Sequence, residues 1–120
     1  MRNRSPFVRP LMLALFLAPS ARAELPKPLE PLRFVLGEWR GEGSGKPGDA
    51  SGSAKFATAL QDRVIVRTSF ADYPAAGDKP AARHDDLMIV YVAGSGDVRA
   101  DYYDNEGHVI RYAVVAAGDG

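Results

Sequence analysis

The chain has 120 residues, no cysteine, and fifteen lysines and arginines against fifteen acids. That length supports one domain, and the missing cysteines exclude a disulfide framework, a thiol nucleophile and lipidation through Cys. Balanced charge gives no basic surface for a nucleic acid.

The first 23 residues read as a cleavable secretory signal peptide. Arg2, Arg4 and Arg9 supply a positive start, and no acid precedes Glu24. The apolar run from Leu11 to Ala18 is too short to cross a bilayer, which takes about 20 residues. Pro19 ends it, and Ala21-Arg22-Ala23 offers small residues where a signal peptidase reads. Four basic residues leave with this leader, so eleven face fifteen acids and the mature chain carries a net charge of −4. The expected location is periplasmic or extracellular, with no membrane contact after cleavage and no nucleic-acid partner.

Residues 24–30 read as a proline-rich tether, because Pro26, Pro28 and Pro31 disfavour regular structure. The apolar cluster Leu29, Leu32, Phe34, Val35 and Leu36 predicts one or two helical turns ended by Gly37. From Glu38 the period becomes two. Glu38, Arg40 and Glu42 fall on one face of a strand, with Trp39, Gly41 and Gly43 on the other. A Gly/Ser/Pro loop follows over residues 43–52. Further strands are predicted over residues 53–60, 63–71, 87–93, 98–104 and 108–115. Gln61-Asp62, Ser95-Gly96-Asp97 and Asn105-Glu106-Gly107 provide the hairpin turns. Residues 73–83 form the one long connection. Strands joined mostly by short turns predict an all-β, antiparallel, up-and-down barrel with a short N-terminal capping helix.

Several motifs fail on chemistry. Residues 43–48 spell G-x-G-x-x-G, but a dinucleotide site must open a helix, and here Pro47 and Gly48 continue a loop. Lys46 is followed by Pro47, which excludes a P-loop. Glu38 and Glu42 lie roughly 13 Å apart along a strand, beyond the roughly 5–9.5 Å of a glycosidase pair. His84 and Asp86 share a face, yet two ligands fall short of a zinc set. Asp101, Asp104, Asn105 and Glu106 lack the spacing of a calcium loop, and turn chemistry accounts for 104–107. The expectation is no metal, no catalytic residue and no enzyme.

The polar residues inside strands leave two readings open. Arg67 alternates with Ile65 and Ser69; Arg99, Asp101 and Tyr103 share a face; Arg111 lies between Val109 and Ala113. They either form cross-strand ion pairs on a solvated outer face, or Arg67, Tyr103 and Arg111 grip an anionic group inside the cavity. Parity alone does not choose.

The segment Leu32-Arg-Phe-Val-Leu-Gly37-Glu-Trp39-Arg-Gly41-Glu-Gly43-Ser-Gly45 resembles the G-x-W-x-G-x-G-x-G signature of nitrobindins and their calycin (lipocalin-like) relatives. Tyr73-Pro74, residues 79–88 and residues 103–112 resemble an uncharacterised bacterial family of domains of unknown function, related to nitrobindin. Together these matches cover most of residues 29–115. The resemblance implies a β-barrel, with Gly37, Trp39, Gly41, Gly43 and Gly45 as its structural signature and Trp39 packed at the closed end. Nitrobindins hold haem through a late histidine, whereas His84 and His108 stand at positions the signature does not assign to haem. Such barrels use roughly eight to ten strands and about six are legible here, so residues 31–120 read as a barrel domain lacking its C-terminal strands. The leading expectation is a non-enzymatic module for a small apolar or anionic ligand, without a resident cofactor. The alternatives are a haem protein acting on nitric oxide or peroxynitrite, and an interaction domain that self-associates through an exposed sheet edge.

Overall fold

Leu29, Leu32 and Val35 recur every third residue, and that spacing sets the first element. In the computed structural model, which describes residues 22–41 and 50–115, Lys27–Val35 forms a 3-10 helix. Three residues per turn stack those side chains in one row. Pro28 and Pro31 fit it because their fixed φ suits 3-10 geometry, while the missing N–H groups work against a longer α-helix. Leu29 is completely buried, and Leu25 just before the helix is buried with it. The stretch expected as a tether is therefore part of the core. Its prolines restrain the chain without keeping it off the sheet.

Gly37, at φ +129°, turns the chain from helix into strand. Six strands follow: β1 (Gly37–Gly41), β2 (Ser51–Ala59), β3 (Val64–Tyr73), β4 (Ala82–Val92), β5 (Val98–Asp104) and β6 (Val109–Ala113). They form one antiparallel sheet in the order β1-β2-β3-β4-β5-β6. The fold is all-β and up-and-down, with the helix on one face. Among the described residues β1 and β6 do not pair, so the sheet stays open rather than closing into a barrel.

Expected and observed strands agree best where turn residues are strongest, as in β5. The largest difference is β4, which begins at Ala82 instead of residue 87. Its polar start, Arg83-His84-Asp85-Asp86, pairs with Ser69 to Asp72 of β3. Asn105, just after the end of β5, supports it: its Oδ1 accepts from the Asp85 N–H at 3.0 Å, and its Nδ2 donates to the Arg83 carbonyl at 3.1 Å. The connection between β3 and β4 shrinks to residues 74–81, with a single bridge between Ala76 and Lys79.

The turn from β2 to β3 is unusual. Leu60, Gln61 and Asp62 have φ of +53°, +55° and +64°, the left-handed region that costs an L-residue about 1–2 kcal/mol each. Thr58 Oγ1 donates to Asp62 Oδ1 at 2.5 Å, and the Arg63 N–H reaches the Ala59 carbonyl at 3.1 Å. These bonds hold the turn.

The core lies between helix and sheet. Leu25, Leu29, Ile65, Val90 and Ala100 are buried, flanked by Leu32, Leu36, Phe56, Met88, Val92, Val98 and Val114. Burying one leucine fully contributes about 1.5–3 kcal/mol, so Leu29 carries a large share for so small a core.

Trp39 departs from its expected role. The strand parity holds, since Trp39 pairs with Ala54 on the face that carries Phe56 and Ile65. The indole is nevertheless half exposed (50%), because β1 is the edge strand of the described sheet. Its Nε1 donates to the Val35 carbonyl at 2.7 Å, tying the helix end to β1.

Candidate functional site

Strand register sorts the sheet into rows. Residues directly opposite one another share a face, and positions two apart along a strand share it too. On the helix side, one row runs Thr58, Ile65, Val90, Ala100, Tyr112. The next runs Phe56, Arg67, Met88, Tyr102, Ile110, and a third runs Trp39, Ala54, Ser69, Asp86, Asp104. His84 lies one step further, opposite Ala71.

This face is divided. Its helix end holds an apolar recess of about 260 Å³, walled by Leu32, Val35, Phe56, Ile65, Met88 and Tyr112 among others. Beyond Met88 the face turns polar, in one connected network. Arg67 Nη2 lies 3.1 Å from Asp86 Oδ1, and the Asp86 side chain is 7% exposed. Although ion-paired, that Oδ1 accepts no well-directed hydrogen bond. His84 Nε2 lies 3.7 Å from Asp86 Oδ2 and 3.1 Å from Tyr102 Oη, while its Nδ1 lies 3.3 Å from Glu106 Oε1. Tyr102 Oη donates to Asp104 Oδ2 at 3.1 Å. Asp104 Oδ1 also accepts the backbone N–H groups of Glu106 at 2.9 Å and His108 at 3.0 Å.

Burial opposes the charge on Asp104, but the donors from His108, Tyr102 and Glu106 outweigh it and hold its pKa down at about 2. Burial, and then the bond to Asp104, pushes Tyr102 up to about 12. At neutral pH Asp104 is thus an anion and Tyr102 a neutral donor. The network sets the carboxylates of Asp86, Asp104 and Glu106 against the Arg67 guanidinium, with the His84 and His108 rings beside them.

The three residues expected to grip an anion do not converge. Arg67 faces the helix side and is engaged by Asp86. Tyr103 pairs with Leu87 and Val109, and Arg111 with Asp101, on the opposite face. Tyr91 Oη also donates to Asp101 there, at 3.2 Å. Arg111 and Asp101 are thus cross-strand neighbours on the outer face, with no ion pair between them among the described residues, while the inward reading describes Arg67 alone. A one-residue step along β5 separates Tyr103 from Tyr102, and such a step reverses the face. Tyr102 was the signal that sequence reasoning missed, although it shares parity with Ala100 and Asp104.

Of the signature residues, Gly37, Trp39 and Gly41 occupy β1. Gly43, Gly45 and the rest of the 43–48 motif lie outside the described residues, as do residues 1–21 of the leader. Among the described residues no three acids, histidines or cysteines cluster to hold a metal. Haem does not fit what is described. Both histidines belong to the polar end, both His84 ring nitrogens have partners, and neither histidine lines the apolar recess.

No protein-family model matches this chain, and no curated protein or solved structure matches it either.

Proposed function

We propose that this is an exported, non-enzymatic binding module for a small amphiphile. The apolar body occupies the recess under the helix and the polar head meets the Arg67–Asp86–Tyr102 edge. One observation carries the reading: the recess and a buried carboxylate oxygen without a hydrogen bond share one sheet face, with Met88 between them. Binding sites commonly combine apolar walls with a few fixed polar groups. The Asp86 oxygen that accepts no hydrogen bond favours a head that donates one, such as an amine, over the anion first expected from Arg67.

Displacement of Nile red by decylamine, decanol and decanoate tests this. Decylamine should compete best and decanoate worst, and Asp86→Asn should reduce the preference for the amine. Equal displacement by all three would remove the role given to the polar end. No displacement by any would remove the ligand-binding reading.

A second reading rests on β6, an edge strand among the described residues, which exposes Val109, Ile110 and Tyr112. An unpaired apolar edge invites another strand, which supports self-association. A monomer at high concentration in light scattering would exclude it.

A further inference from the structure

Ala23 and Glu24 are joined by the peptide bond that the export reading marks for cleavage, and the fold holds both sides of that bond. The Ala23 carbonyl accepts from Arg33 Nη2 at 2.6 Å. The Glu24 N–H donates to Asp62 Oδ2 at 3.1 Å. Leu25, the next residue, is already buried in the core, so the Glu24 nitrogen is placed by packing. Asp62 is placed as well, by the left-handed turn and by Thr58, which donates to its other oxygen.

We infer that Asp62 is the seat for the new N-terminus, so that removing the leader turns a hydrogen bond from a neutral amide into an ion pair. This inference rests on the export reading. Hydrolysis adds one water across the bond: its oxygen goes to the Ala23 carbonyl carbon, which departs as a carboxylate. Both water hydrogens end on the Glu24 nitrogen, which becomes an ammonium group. That nitrogen already lies on Asp62 Oδ2. Arg33 loses the Ala23 carbonyl but keeps Glu30 at 2.7 Å. Asp62 is held below the usual carboxylate range, first by Thr58 and then by the Glu24 N–H, so it is charged when the ammonium forms.

An order of events follows. In the folded chain both polar groups of the scissile peptide are hydrogen-bonded, and a protease needs that segment free. Cleavage therefore precedes folding, and the released amine then docks as the turn between β2 and β3 forms. The leader is not merely discarded. Its removal creates the group that fastens the start of the chain to that turn.

The test expresses the full chain with its leader in a secreting bacterium and recovers the exported protein. Mass spectrometry should show a Glu24 start; another start overturns the leader reading alone. The α-amine is then acylated under limiting reagent, and the N-terminal peptide is quantified for the natural protein and for Asp62→Asn. An exposed ion pair is modest, so the natural amine should react about two- to fivefold more slowly. Asparagine still accepts the hydrogen bond but lacks the charge, so equal rates overturn the seat. If Asp62→Asn does not fold, 1 M salt replaces it. Screening should speed acylation of the natural amine, and an unchanged rate overturns the inference. If export yields another start, a fusion cut to expose Glu24 carries the same measurement, so the two readings fail separately.

Discussion

Asp104 accepts the backbone N–H of His108 at 3.0 Å with one carboxylate oxygen, and the His108 ring lies 2.9 Å from the other. The contact closes the hairpin between β5 and β6 on itself, and Tyr102 joins it from the inner face. The Asp104 pKa, about 2 when folded, lies below its ordinary 3.8. A depressed carboxylate contributes stability above its unfolded pKa and loses it as pH falls through the folded value. The protein should therefore lose stability between about pH 4 and pH 2, and Asp104→Asn should make that decline shallower. Melting curves across this range check it. An identical slope in the variant would mean that Asp104 does not govern the acid side.

Tyr102 gives the alkaline counterpart. Its pKa, raised to about 12 from 10.0, means that the folded state favours the neutral phenol. That contribution is full below pH 10 and disappears as pH rises through about 12. Tyr102→Phe should reduce the alkaline loss of stability, measured by denaturation at intervals above pH 9.

Leu29 and Phe34 belong to one helix and face opposite ways. Leu29 is fully buried and Phe34 is 73% exposed. Leu29→Ala should cost about 2–5 kcal/mol through lost burial and the cavity left behind. Phe34→Ala should change stability by less than about 0.5 kcal/mol. Urea denaturation distinguishes the two. Equal costs would mean that the helix does not dock through the row containing Leu29.

Gly52 permits a close approach of backbones that no other residue would. A Cβ added there would collide with the Phe70 carbonyl oxygen, whereas one at Gly41 would meet nothing nearer than 3.9 Å. Gly52→Ala should cost at least about 1–3 kcal/mol, as overpacking does, by prising β2 from β3. Gly41→Ala should be nearly neutral. Hydrogen exchange of the β2 amides, combined with melting temperatures, reads both effects.

For Trp39, the half-exposed indole and its bond to Val35 replace the packing at a closed barrel end that the resemblance implies. Trp39→Phe keeps most of the ring and removes the donor, so its cost should be about 0.5–1.5 kcal/mol. Trp39→Ala should remain below Leu29→Ala. A larger loss at Trp39 than at Leu29 would show that the indole is buried after all.

The order of the strands and the alternation within each were legible in the sequence, because both depend on neighbours a few residues apart. Gly, Asn and Asp mark the turns, and a period of two separates Trp39 from Glu38 and Arg40 wherever the strand lies. Tertiary structure decided which of the two faces is covered. That choice depends on where Leu25 and Leu29 dock, a contact with Ile65, Val90 and Ala100 across the whole chain. The proline-rich stretch looked like a tether for the same reason, since proline fixes a backbone angle and says nothing of what the neighbouring leucines touch. Cross-strand register finally gathered Arg67, His84, Asp86, Tyr102 and Asp104 onto one face and sent Tyr103 and Arg111 to the other. In a sheet, a single residue of offset reverses every side chain.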